Sequence, residues 1–166
     1  MAKRKQPRGL RHNNPLNIRK SDQLWLGQTG NDGTFCIFLT KAYGYRAAFR
    51  ILKTYNTKYH IYSVSEIIGR WAPPSDGNNT KGYIERVCRM TGLRETDTIV
   101  ADTTDAEQQE HVKQLVLAMA RVENGCPAEA IDRDDIDEGY NLAFAINKEM
   151  KTMMKQISNG NMKMPF

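Results

Sequence analysis

A chain of 166 residues, 40% hydrophobic and 26% charged, has room for one domain with a sizeable core and too little length for two ordinary ones. Its net charge of +5 favours an anionic partner such as nucleic acid, an acidic membrane surface or a cell-wall polymer. Cys36, Cys88 and Cys126 are scattered, with no C-x-x-C pair, which excludes a disulfide scaffold and a zinc ribbon. His12, His60 and His111 lack metal-ligand spacing, so neither a metal nor another cofactor is expected.

Much of the excess charge sits at the start, in Lys3, Arg4, Lys5, Arg8 and Arg11. Residues 1–8 read as a solvated basic arm, residues 9–157 as a single domain and residues 158–166 as a loose tail. The arm is not followed by the apolar stretch of a secretory signal. The run Leu115 to Ala120 is far short of the ~20 residues a membrane span needs. The expectation is cytoplasmic synthesis without a signal peptide, with some other agent carrying the protein to any target outside. Nucleic acid is a poor candidate partner, because no recognised motif accompanies the charge and acidic residues dilute it downstream.

In chain order, Asn13-Asn14-Pro15 is turn chemistry, because the residue before proline is pushed out of the helical region. Asn14 and Asn17 carry amides that suit sugar hydroxyls or the chain's own backbone equally well, and an Asx turn stapling the loop is the simpler reading. Leu24-Trp25-Leu26 and Thr34 to Phe38 are β-rich runs on either side of Gly30-Asn31-Asp32-Gly33, which predicts a hairpin. Trp25 suits a core or rim position and would equally offer a ring face to a ligand. Tyr43 to Tyr59 places Tyr45, Ala48, Phe49, Leu52, Tyr55 and Tyr59 at helical spacing. Ser63 and Glu66 form a capping box, which gives Glu66 a local structural task, and Trp71-Ala72-Pro73-Pro74 ends the short helix that follows. Another helix carries Tyr83, Ile84, Val87 and Cys88 and closes at Gly92. Residues 93–103 read as a polar connector.

Thr104 to Pro127 is the most legible helix. Thr104 and Glu107 have the spacing of a capping box, and Gly125 with Pro127 suits the far end. Val112, Leu115, Val116 and Met119 share one face that should point into a core. The next position on that stripe is Glu123. A carboxylate there is disfavoured by the dipole's negative end by roughly 0.3–1 kcal/mol, and desolvation should lift its pKa towards the range of a general acid. Arg121 or a loop donor could equally neutralise it at the rim of the core. Ala130 to Asp137 reads as acidic loop or helix start. A last helix is expected over about Glu138 to Ile157, using Tyr140, Phe144, Ile146, Met150 and Met153 or Met154. No Walker motif, G-x-G-x-x-G fingerprint or G-x-S-x-G elbow is present, so nucleotide and serine-hydrolase chemistry have no support.

Taken together, N-N-P-L-N-I-R at Asn13 to Arg19, W-x-G at Trp25 to Gly27, F-x-x-F at Phe35 to Phe38, G-Y-R-A-A at Gly44 to Ala48 and R-V-E-N-G at Arg121 to Gly125 resemble a family of phage and prophage virion-associated proteins. The likeness covers roughly residues 8–127. A more distant one reaches bacterial glucosaminidases and lytic transglycosylases of the lysozyme-like fold. In that comparison Asn14 to Ile18 resembles an asparagine segment, Phe35 to Phe38 a hairpin end, and Trp71 to Tyr83 an aromatic segment. Those enzymes carry the catalytic glutamate on a helix before the asparagine segment, where this chain has neither helix nor acid; its counterpart, V-E-N-G, comes late. The resemblance therefore implies an α+β, mostly helical, lysozyme-like domain with one small hairpin, circularly permuted.

It also implies cleavage of peptidoglycan glycan strands, with Glu123 as general acid and Tyr83 lining the cleft. Asn14, Asn17, Trp25 and Trp71 would hold the sugar, acting at the cell wall or as part of a virion. Two-carboxylate mechanisms need a partner about 5–5.5 Å away for retention or about 6.5–9.5 Å for inversion. Asp22, Asp32 and Asp76 are loop candidates, and a single-acid route using the substrate's own N-acetyl or 6-hydroxyl group suits the sequence better. The alternative is a virion structural or wall-docking protein that keeps the fold without turnover, touching other virion proteins instead.

Overall fold

The computed structural model describes residues 5–145 together with 152, 153, 155–157, 159 and 160. Its longer helices are α2 (Lys41–Tyr59), α3 (Val64–Trp71), α4 (Thr80–Thr91), α5 (Ala106–Asn124) and α6 (Arg133–Tyr140). They follow a one-turn helix α1 (Arg8–Arg11) and an antiparallel hairpin of β1 (Gln28–Asn31) and β2 (Cys36–Phe38). The class is the expected one, mostly helical α+β in a single domain. Among the described residues one continuous core runs from Leu10 and Leu16 through Phe49, Ile67 and Val87 to Leu115 and Ile136.

Helix α2 forms because Thr40 accepts a hydrogen bond from the Tyr43 amide and because Tyr45, Ala48, Phe49 and Leu52 recur on one buried face. It packs mainly against α6, where the Phe49 ring meets Tyr140 edge-on with centroids 5.1 Å apart, and Tyr140 meets Phe144 at 4.9 Å. Helix α3 opens on the expected Ser63–Glu66 capping box, and α4 closes on Gly92 in the left-handed conformation. All three cysteines are free thiols, Cys36 buried and the other two half-buried.

Helix α5 buries the expected stripe of Val112, Leu115, Val116 and Met119 and closes on left-handed Gly125. Its start differs from the sequence reading. Asp105, not Thr104, is the cap, accepting from the Gln108 amide at 2.8 Å. A carboxylate one position later is at least as good a cap as threonine. Thr103 supports it by accepting from the Asp105 amide, so no Thr104–Glu107 box forms.

The hairpin also differs. Leu24 to Leu26 was expected to be its first strand, yet the paired residues are Gln28–Asn31, and Leu24 is 82% exposed. The chain turns at Trp25, whose carbonyl accepts from the Gln28 amide at 3.0 Å, and then passes Gly27 at φ 77 against the Tyr43 ring. That left-handed step ends any strand begun at Leu24. On the other side of β2 the chain is met by residues 18–20: Cys36 donates to the Ile18 carbonyl, and Lys20 to the Thr34 carbonyl, both at 2.9 Å. The asparagine loop is thus stitched to the hairpin by backbone pairing.

Two further stretches depart from expectation. The connector 93–103 buries Leu93, Ile99 and Ala101. The buried Asn56 amide holds it, donating to the Ile61 and Ile99 carbonyls and accepting from the Ala101 amide. The last helix starts at Arg133, capped by Asp132, and widens into a π-type turn over Asn141–Ala145. Tyr140 and Phe144 are buried as expected, and Met153 is exposed. Ile146, Met150 and Met154 lie outside the described residues, as do residues 1–4 of the basic arm and most of the expected tail. Arg8, grouped with that arm by its charge, opens α1 and stacks 3.7 Å over the Phe35 ring.

Candidate active site

Glu123 occupies the last turn of α5, the end of an apolar stripe that runs into the core. Its two carboxyl oxygens are both engaged. Oε2 accepts from the Asn17 amide at 3.0 Å, and Oε1 accepts from the Tyr83 hydroxyl of α4 at 3.2 Å. Burial raises the pKa of Glu123 above its ordinary value. Hydrogen bonds from Asn17, Tyr83 and the Trp71 indole pull it back down, as does the Arg8 guanidinium, but burial is the largest influence. The Tyr83 phenol is driven far upward, first by burial and then by the neighbouring carboxyl, so it remains a donor.

The asparagine loop reaches α5 because its own amides hold it in shape. Asn14 is 1% exposed; its side chain donates to the Ile18 and Cys36 carbonyls and accepts from the Ile18 amide, all at 2.9 Å. Loop stapling is the task the structure shows for this residue: both amide hydrogens and the side-chain oxygen are engaged with backbone. Asn13 and Asn17 both sit at positive φ, 53 and 51°, a conformation that asparagine tolerates better than most residues. Gly44 lets α2 press against the Asn13 carbonyl, and a Cβ on Gly9 would stand 2.9 Å from the Asn17 side-chain oxygen. Close approach at these two glycines sets the loop against both helices.

Asn124, next to Glu123, was passed over in the sequence. Its amide donates to the Pro15 carbonyl at 2.8 Å and to Ala120 of its own helix. The consecutive residues Glu123, Asn124 and Gly125 therefore bind the loop twice and then end the helix. The helical stripe signals Glu123 alone, because Asn124 faces a partner 109 positions away.

Beside the carboxyl opens a cleft of about 350 Å³. Asn17, Trp25 and Trp71 line it, together with Tyr55, Arg70 and Asp76. Of the residues singled out from sequence, Asn17, Trp25 and Trp71 thus share one cleft. Glu123 and Tyr83 stand behind it, the carboxyl meeting the cleft through Asn17 and Trp71. Trp71 also packs edge-on against Tyr55, centroids 6.3 Å apart, so the ring is part of the wall and not only a core plug. Arg19, Tyr55 and Arg70 on the lining were not anticipated. Tyr55 read as one member of a helical stripe, and nothing in its spacing separates a packing position from a cleft wall.

Of the loop carboxylates weighed as a second acid, Asp32 is tied into the hairpin turn. Backbone amides of Phe35 and Thr34 bond to it and lower its pKa, and His12 Nδ1 stands 3.5 Å away. Asp22 is exposed, and Asp76 alone of the three reaches the cleft wall. Among the described residues no group of three or more His, Cys, Asp or Glu side chains is placed to hold a metal ion. Nor is any described helix long and apolar enough to cross a membrane.

No family model matches the chain. Protein P5 of Pseudoalteromonas phage PM2 is 37% identical over 142 residues, which span 82% of this chain and 82% of that protein. Agreement at that level across most of both chains reaches well beyond the loop and helix end that build the site. By that measure the chain belongs to the same family of phage proteins as Protein P5 of phage PM2.

Proposed function

We propose that the protein cleaves glycan strands of peptidoglycan, with Glu123 as general acid and Tyr83 and Asn17 holding its carboxyl. The observation that carries this reading is the meeting of a late acid with an early asparagine loop beside an aromatic cleft. A carboxyl whose pKa is raised by burial holds its proton nearer neutral pH, where it can protonate the oxygen leaving C1. Trp25 and Trp71 offer ring faces suited to the apolar faces of sugars. Asp32 is committed to its turn and Asp76 is the one weighed carboxylate on the cleft wall; the route adopted in this reading is the single-acid one. Glu123 gives its proton to the departing oxygen as the glycosidic bond breaks, and as a carboxylate it takes back the proton of the 6-hydroxyl that closes on C1, either directly or after the N-acetyl oxygen has first bonded there. Membership of a phage family, the likeness to lytic transglycosylases and the juxtaposition of Glu123 with Asn17 together support a lysozyme-like arrangement in permuted order.

A second reading is supported by the occupancy of both Glu123 oxygens. A carboxyl bonded to Asn17 and to Tyr83 is also a strut that ties the loop to α4 and α5. In that case the protein is a virion structural or wall-docking component without turnover. A gel containing purified peptidoglycan separates the two. The enzymatic reading expects a cleared band from wild type and none from Glu123→Gln, with melting temperatures within a few degrees. No clearing by wild type on peptidoglycans of several chemistries leaves the structural reading standing. Mass spectrometry of released fragments then distinguishes anhydro sugars from reducing ends.

A further inference from the structure

We propose that the cleft recognises a carboxylate carried by the glycan strand, through Arg19 and Arg70; this deepens the reading above and rests on it. Arg19 and Arg70 are both among the residues that line the cleft, with Trp25 and Trp71. Arg70 is set in place by aromatic rings, 3.8 Å over Tyr59 and 5.3 Å over Tyr55. Arg19 stands 5.8 Å over Phe35. An arginine held by stacking loses less freedom when it binds, and its planar fork of donors matches a carboxylate in two-point contact.

Neither charge is already spent. Among the described residues, Arg94 pairs with Asp97, and Arg133 with Glu110 and Asp137, whereas no carboxylate pairs with Arg19 or Arg70. Asp76 shares the wall, so two cations face one anion and the lining stays net positive. A neutral N-acetylhexosamine polymer gives these arginines nothing to pair with. A strand bearing lactyl-linked peptides carries free carboxylates on those peptides, alongside the glycan, and an aromatic floor flanked by two arginines without a carboxylate partner is complementary to that combination.

The chain holds two tryptophans, and both line this cleft, so intrinsic fluorescence reports its occupancy. The test uses the full chain carrying Glu123→Gln, which removes turnover. It is titrated with a disaccharide-peptide bearing free carboxylates and with the same compound fully amidated. We expect the free acid to bind about tenfold more tightly, with an advantage that shrinks as salt rises. In the Arg19→Gln/Arg70→Gln variant that advantage should vanish while the affinity for the amidated compound stays the same. Both arginines are exposed, so thermal unfolding should find the variant folded. Equal affinities for the two compounds, a preference that survives in the double variant, or no fluorescence response to either compound would each overturn the proposal. All are read without cleavage, so failure of the proposal is distinguishable from failure of the peptidoglycan gel, which would sink the enzymatic reading.

Discussion

The Asn17 amide donates to Glu123 Oε2 at 3.0 Å across 106 positions of sequence. That bond joins a loop residue at positive φ to the last turn of a helix, and it closes the site from both ends of the chain. Its strength is set against the desolvation of the same carboxyl, and the balance between them is measurable.

The first prediction concerns that balance. Burial lifts the Glu123 pKa above 4.5, so between that value and the higher folded value the folded state binds more protons than the unfolded one. Stability must then fall as pH rises through that window and level off above it. Glu123→Gln lacks this dependence. The melting temperature of the variant minus that of wild type should climb as pH rises past 4.5 and flatten once it is above the raised folded-state pKa. A difference that stays constant with pH would mean the carboxyl is not desolvated in the fold.

Asn14 makes the second prediction. Replacing it with Ala strands two backbone groups, the Cys36 carbonyl and the Ile18 amide, while the Ile18 carbonyl keeps its bond from the Cys36 amide. Each orphaned group costs roughly 1–3 kcal/mol, partly relieved by relaxation, so a total loss of about 2–4 kcal/mol is expected. Chemical denaturation measures it. A loss under about 0.5 kcal/mol, the usual range for a surface substitution, would show that the loop keeps its shape without this staple.

The third lies far from the cleft. Arg133 donates to both oxygens of Glu110, at 3.0 and 2.7 Å, and to Asp137 at 3.1 Å, while Lys113 meets Asp137 at 3.0 Å. Hydrogen bonding from Arg133 lowers the Glu110 pKa below its ordinary 4.5. Stability from this pair is therefore present above that value and lost as pH falls through the lowered one. The groups are partly exposed, which limits Arg133→Gln to about 0.5–1 kcal/mol at neutral pH. The gap to wild type should narrow in acid and in high salt. A gap that persists at low pH would assign the effect to packing of the arginine stem.

Much of this architecture is legible in the residues. Val112 to Met119 announce a buried face, Ser63 and Glu66 a cap, Gly92 and Gly125 two helix ends, and each depends on neighbours within a turn or two. The placement of Glu123 at the end of its stripe follows from the same local rule. What misleads is competition between equivalent local signals. Asp105 displaces Thr104 as a cap, and Gly27 against Tyr43 stops the strand that the β-rich Leu24-Trp25-Leu26 suggests. What stays hidden is pairing at long range. Nothing within a few residues of Asn14 shows that its amide will be spent on Cys36, nor does the spacing of Asn56 reveal the 93–103 segment it holds. Arg19 and Arg70 become visible as a pair only once the cleft between their elements exists.

The last prediction uses the two donors to Glu123 against each other. The Tyr83 hydroxyl and the Asn17 amide both stabilise the ionised carboxylate, so removing either should raise the Glu123 pKa further. Tyr83→Phe deletes one donor at a stability cost of about 1 kcal/mol. Asn17→Gly deletes the other and keeps a residue at ease with φ 51°. Carbon NMR of the labelled Glu123 carboxyl should record an upward shift in each variant, larger when the two are combined. A general acid works only while protonated, so the alkaline limb of kcat/KM on peptidoglycan should move to higher pH by the same amount in each case. A carboxyl that titrates unchanged in both variants would mean that these bonds do not hold it in solution. If the pKa moves but the alkaline limb stays fixed, Glu123 is a strut and the proton comes from another group.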